Sequence, residues 1–79
     1  MRSMKLLQSP DIGLAAALVV SGFELHDILH RPERCIFVFE RDGPLEKAAQ
    51  KYWGEDLMVP ARQFLEAIRS LKSRIKTYP

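Results

Sequence analysis

From Pro60 to Tyr78 the chain carries Phe64, Ile68, Leu71 and Ile75 at the i, i+4, i+7, i+11 spacing of one helix face, with Leu65 next to Phe64. A segment patterned in this way has to lie along an apolar surface, so the rest of the chain must supply one. The same segment holds Arg69, Lys72, Arg74 and Lys76, with no acid after Glu66. One side of the helix is expected to be buried, while the other presents four positive charges.

Upstream, the elements are punctuated by proline, glycine and capping residues. Met4 to Leu7 reads as a brief strand. Ser9-Pro10-Asp11 reads as a helix start, with Ser9 as the cap, Pro10 at the first helical position and Asp11 favouring the positive end of the helix dipole. That helix passes through Ala15, Ala16, Ala17 and Leu18 and stops at Ser21-Gly22, where glycine can adopt the left-handed conformation of a last turn. Ile12, Ala15, Ala16 and Val19 form one stripe, but Leu14, Leu18 and Val20 lie off it, so the helix is expected to be covered on more than one side.

Phe23 to Leu29 and Cys35 to Glu40 read as two strands. The second alternates, with Cys35, Phe37 and Phe39 on one face and Ile36 and Val38 on the other. The polar link from His30 to Arg34 contains Pro32 and predicts an antiparallel hairpin. Asp42-Gly43-Pro44 then turns into a second helix, in which Leu45, Ala48, Ala49, Tyr52 and Trp53 follow the i, i+3, i+4, i+7, i+8 template. Gly54 is expected to close it, and Pro60 to open the last helix. The order β-α-β-β-α-α predicts a single α+β domain over residues 1–79: a small, largely antiparallel sheet covered on one face by three helices.

Seventy-nine residues allow one modest core, which predicts Phe37, Phe39, Trp53 and Ile68 at its centre. The lone cysteine, Cys35, forms no internal disulfide, which suits a reducing cytoplasm. The longest apolar run, from Ile12 to Val20, would span about 14 Å as a helix, roughly half a hydrocarbon core. It follows Ser9, Pro10 and Asp11 instead of a basic leader, so neither a membrane span nor a signal peptide is expected. A cytoplasmic protein is the expectation. Net charge is +2, yet residues 67–79 alone carry +4, so the last helix is the natural place for an acidic partner to bind.

Ser9-Pro10-Asp11, Leu14-Ala15-Ala16, Leu18 and Gly22-Phe23 resemble the opening of a family of small bacterial and phage-encoded proteins known as a domain of unknown function. The resemblance continues through Phe37-Val38-Phe39-Glu40, Tyr52-Trp53, and Phe64 with Leu71-Lys72-Ser73. Pro10 departs from the more usual polar residue before the aspartate. The resemblance implies the same fold and a small accessory role, on a mobile element, and carries over no catalytic residue.

Each candidate for chemistry has a plainer explanation. His26 and His30 sit at His-x-x-x-His spacing, but on a strand four residues span about 13 Å, too far to share one ion. They are expected to be solvent-facing hairpin histidines. Cys35 shares a face with Phe37 and Phe39, which predicts a buried structural thiol. Glu24, Asp27, Glu33 and Glu40 read as a solvated polar face, and the four glycines stand apart, so no phosphate loop is present. Tyr52 and Trp53 read as core residues, and Tyr78 as the more accessible aromatic. No catalytic, cofactor or metal residues are assigned, and an enzyme is not expected.

Two readings of function remain. In the first, a non-enzymatic accessory module binds nucleic acid or another acidic partner through Arg69, Lys72, Arg74 and Lys76, joined by Arg31 and Arg34 of the hairpin. In the second, Ile36 and Val38 form an outward apolar sheet face that needs a cover, as a homodimer or an adaptor on a larger protein.

Overall fold

A computed structural model of the chain describes residues 5–77. Within them the order is β1 (Leu6–Ser9), α1 (Ile12–Val20), β2 (Leu25–His30), β3 (Cys35–Glu40), α2 (Gly43–Trp53) and α3 (Ala61–Thr77). The strands form one antiparallel sheet in the order β1-β3-β2. The architecture is the expected α+β fold. Met4, at the start of the expected first strand, and Tyr78, at the end of the expected last helix, lie outside the described residues.

The register places Leu7, Phe39 and Leu25 in one row across the sheet, and Ser9, Phe37 and Ile28 in the next. Phe37 and Phe39 are buried and join Leu7, Leu14, Leu18, Leu45, Ala49 and Leu71 in one hydrophobic cluster. All three helices contribute to that cluster, so they cover the same face of the sheet. The alanines of α1 are fully enclosed, as are Leu14 and Leu18, because sheet, α2 and α3 meet around this helix. Small side chains there let the neighbouring backbones approach closely.

β2 departs from simple alternation. A bulge falls between Leu25 and Asp27, so His26 is the extra residue, and Leu25 and Ile28 both reach the core side. Without the bulge, an odd spacing of three would put them on opposite faces. Asp27 Oδ1 also accepts the Ile28 N–H at 2.8 Å, so that edge donor is not open to a further strand.

Helix ends follow local chemistry, with shifts from expectation. The cap of α1 is Asp11, whose Oδ1 accepts the Gly13 and Leu14 N–H groups at 2.9 and 3.3 Å. Ser9 ends β1 instead, and its hydroxyl accepts the Asp11 N–H at 3.1 Å. The Asp11 carboxylate sits two residues closer than Ser9 to the orphan donors, which is why it takes the role. At the other end Gly22 adopts φ +105°, with Gly22 N–H donating to Val19 and Phe23 N–H to Leu18. This is a Schellman closure of the kind the glycine announces. Asp42 caps α2 through the Leu45 N–H at 2.8 Å. Gly54 has φ −85°, and the left-handed residue after α2 is Glu55, φ 65°.

Two expected core residues lie outside the core. Trp53 is 56% exposed. It stands about 80° round the helix from Leu45, at the margin of the stripe, where only a wider neighbour would cover it. Leu65, about 100° round from Phe64, is likewise 47% exposed. Ile68 is half-buried and packs against the cluster without centring it.

Candidate functional site

α3 is anchored along its length by buried Leu71 and half-buried Phe64, Ala67, Ile68 and Ile75. Arg69, Lys72, Arg74 and Lys76 are all exposed, as charged side chains on the far side of such a stripe should be. They do not form a single patch. At about 100° per residue, Arg69, Lys72 and Lys76 fall within about 60° of one another, whereas Arg74 is about 140° round from Arg69. Arg74 lines a different concavity, between α1, α3 and the start of β2, with Val19, Phe23, Glu24, Leu25, Ala67, Ser70 and Leu71.

Arg62, exposed on the first turns of α3, completes the seam with Arg69, Lys72 and Lys76. It lies seven residues before Arg69, and Lys76 seven after, so all three share nearly one direction. Counting charge only after Glu66 hides it; the seven-residue spacing reveals it.

Arg31 and Arg34 are exposed in the tight turn between β2 and β3, closed by the Arg31 N–H donating to the Arg34 carbonyl at 3.0 Å. With Pro32, Glu33 and Ile36 they line a shallow concavity of about 330 Å³. This turn ends β2 opposite to Leu25, beside which Arg74 lies, roughly 20 Å away along the strand. The hairpin arginines therefore adjoin Ile36 instead of extending a patch with Arg74.

The outer face of the sheet is only partly the apolar surface that alternation suggests. Ile36 and its neighbour Leu29 are half-buried, but Val38 is 2% exposed. Val38 sits on the central strand with Gln8 on one side and Asp27 on the other, and is buried. It offers no free surface to a partner.

The histidines also separate. His26 is exposed at the bulge, while His30 is half-buried beside Cys35, with Nδ1 and Sγ 3.5 Å apart. The antiparallel register makes these two residues direct partners, which corrects the expectation of two solvent-facing histidines. Cys35 itself is half-buried. Among the described residues no group of three or more His, Cys, Asp or Glu could hold a metal ion. Glu24 and Glu40, with His26 and Asp42, line an open concavity at one end of the sheet, whereas Asp27 and Glu33 lie elsewhere. No described helix is long and apolar enough to cross a membrane.

Tyr52 has a polar role. Its hydroxyl donates to Asp11 Oδ2 at 3.0 Å, tying the end of α2 to the cap of α1. Burial of the ring, then the hydrogen bond to Asp11 and its negative charge, push the phenol above its ordinary value of 10.0. A raised folded value means that this contribution to stability is complete below the unfolded value. It is lost as pH rises through the folded one. The wild type is expected to lose thermal stability more steeply than Tyr52→Phe as pH passes about 10. Parallel melting curves in that range would show that the phenol is solvated in the same way folded and unfolded.

No curated protein and no solved structure matches the chain. A sequence family does, and its match over residues 4–77 takes in every element described above: the chain belongs to the family described as Domain of unknown function (DUF5659).

Proposed function

We propose that this protein is a small non-enzymatic accessory module that binds nucleic acid or another acidic partner through the exposed side of α3. The supporting observation is the division of that helix: Phe64, Ile68, Leu71 and Ile75 of its apolar stripe pack on the core, while Arg69, Lys72, Arg74 and Lys76 are exposed. Cations at a helix C-terminus are also favoured by the dipole, so their presence alone is weak support; the missing acid after Glu66 strengthens it. The single thiol of Cys35 suits a reducing cytoplasm, and a bacterial or phage setting is what the sequence resemblance implies.

The test is fluorescence anisotropy with mixed-sequence nucleic acid across a salt series. Wild type is expected to bind at low salt and to weaken steeply as salt rises. Replacing Arg69, Lys72, Arg74 and Lys76 with Gln should cost only about 1 kcal/mol of stability, since Gln is a good helix former and the charges are screened. The same protein should lose most of its binding. If wild type fails to bind at low salt, or the quadruple variant binds equally well, the second reading takes over. That reading is a homodimer or adaptor surface on the sheet face of Ile36 and Val38, narrowed by the burial of Val38 to Ile36 with half-buried Leu29 beside it. An apolar interface of this kind would persist at salt concentrations that abolish phosphate contacts.

A further inference from the structure

Arg62, Leu65, Arg69, Lys72 and Lys76 follow one another at alternating steps of three and four residues and form a narrow seam along α3. The seam spans fourteen residue steps, about 21 Å of helix, which matches about six base pairs of duplex. Its cations are strung out in line. None of the five is aromatic and none carries an amide, so the seam has neither a stacking platform for single-stranded bases nor the paired donor and acceptor of an adenine reader. Glu66 borders it about 40° from Arg62, and Arg74, Arg31 and Arg34 lie off it.

We infer that the ligand of this seam is the phosphate backbone of a nucleic-acid duplex, gripped by Arg62, Arg69, Lys72 and Lys76 without regard to base sequence. The inference rests on the nucleic-acid reading proposed above and adds the ligand class and the contact set. Four phosphate contacts predict a slope of log affinity against log salt of about −3.6, or a loss of about 150-fold between 50 and 200 mM. Each contact removed should flatten the slope by about 0.9. Glu66, the one carboxylate of α3, should oppose binding.

The experiment measures anisotropy of labelled short duplexes of unrelated sequence, and of a single strand of equal length, across a salt series. The proteins are wild type, Arg62→Gln, Arg74→Gln, the double variant Arg31→Gln/Arg34→Gln, and Glu66→Gln, each checked for an unchanged helical spectrum and melting midpoint. The expected result is duplex affinities within about threefold of each other and weaker binding of the single strand. Arg62→Gln should flatten the slope, Arg74→Gln and the hairpin double variant should leave it, and Glu66→Gln should tighten binding. A tenfold preference among duplex sequences, tighter binding of the single strand, or a slope that responds to Arg74 and not to Arg62 would overturn this inference and leave the broader reading standing. Displacement of the duplex by polyglutamate at equal charge concentration would overturn it in favour of an acidic protein partner. Failure of wild type to bind any of these polyanions would remove both.

Discussion

Phe39→Ala is expected to lower the stability of the fold by about 3–5 kcal/mol, because a buried aromatic leaves both lost transfer energy and a residual cavity. Phe39 is 2% exposed and lies on the central strand, with Leu7 and Leu25 as its neighbours across the sheet. It therefore touches the sheet on both sides and the helices above. A domain of this length has a total stability of roughly 4–12 kcal/mol, so the variant should be marginally folded or unfolded at room temperature. Urea denaturation followed by Trp53 fluorescence and by far-ultraviolet dichroism measures it. A midpoint equal to that of wild type would mean that the packed face of β3 is the opposite one. Ile36→Ala, on the outer face, supplies the internal comparison and should cost clearly less.

The second large effect is expected at Asp11. Its carboxylate serves two elements at once: Oδ1 accepts the first backbone donors of α1, and Oδ2 accepts the hydroxyl of Tyr52 from α2. Asp11→Ala should cost about 2 kcal/mol, made of about 1 for the cap and a similar amount for a charge-assisted hydrogen bond that remains partly open to water. Tyr52→Phe alone should cost the smaller part. The pair forms a thermodynamic cycle in which the double variant is less destabilised than the two single effects combined. Strict additivity would show that the carboxylate and the phenol do not interact in solution. Gly13 belongs to the same arrangement: a Cβ there would come within 2.7 Å of the Tyr52 hydroxyl, so the glycine leaves room for the tie. Gly13→Ala should gain helix propensity and lose the bond, and its alkaline behaviour should approach that of Tyr52→Phe.

Much of the fold was legible because its signals are local. Alternation in Cys35 to Glu40 identified β3 and its inner face, since the side-chain period of a strand is two. The stripes of α2 and α3 followed from the helical period, and Gly22 announced the end of α1 because its backbone conformation disfavours other residues. The cations of α3 were legible as exposed for the same reason: once the stripe is buried, they have nowhere else to go.

What the tertiary structure alone decided concerns margins, partners and distances. Trp53 and Leu65 lie at the edges of their stripes, and periodicity does not say how wide the covering surface is. The bulge at His26 changed the faces of β2, a choice made by the fit of Leu25 and Ile28 under the helices. Val38 is buried although alternation puts it on the outer face, because burial depends on what packs over a position as well as on which face it occupies. Asp11 with Tyr52, and His30 with Cys35, are pairs made by packing or register, so neither residue of a pair announces the other. The basic residues divide for a similar reason. Sequence gives their number and their angle on the helix, while only the packed molecule determines that Arg74 turns to the cleft beside Glu24 and that the hairpin arginines adjoin Ile36. Backbone periods act over one or two turns and are fixed by covalent geometry, whereas burial and proximity depend on which surfaces meet once the whole chain has packed.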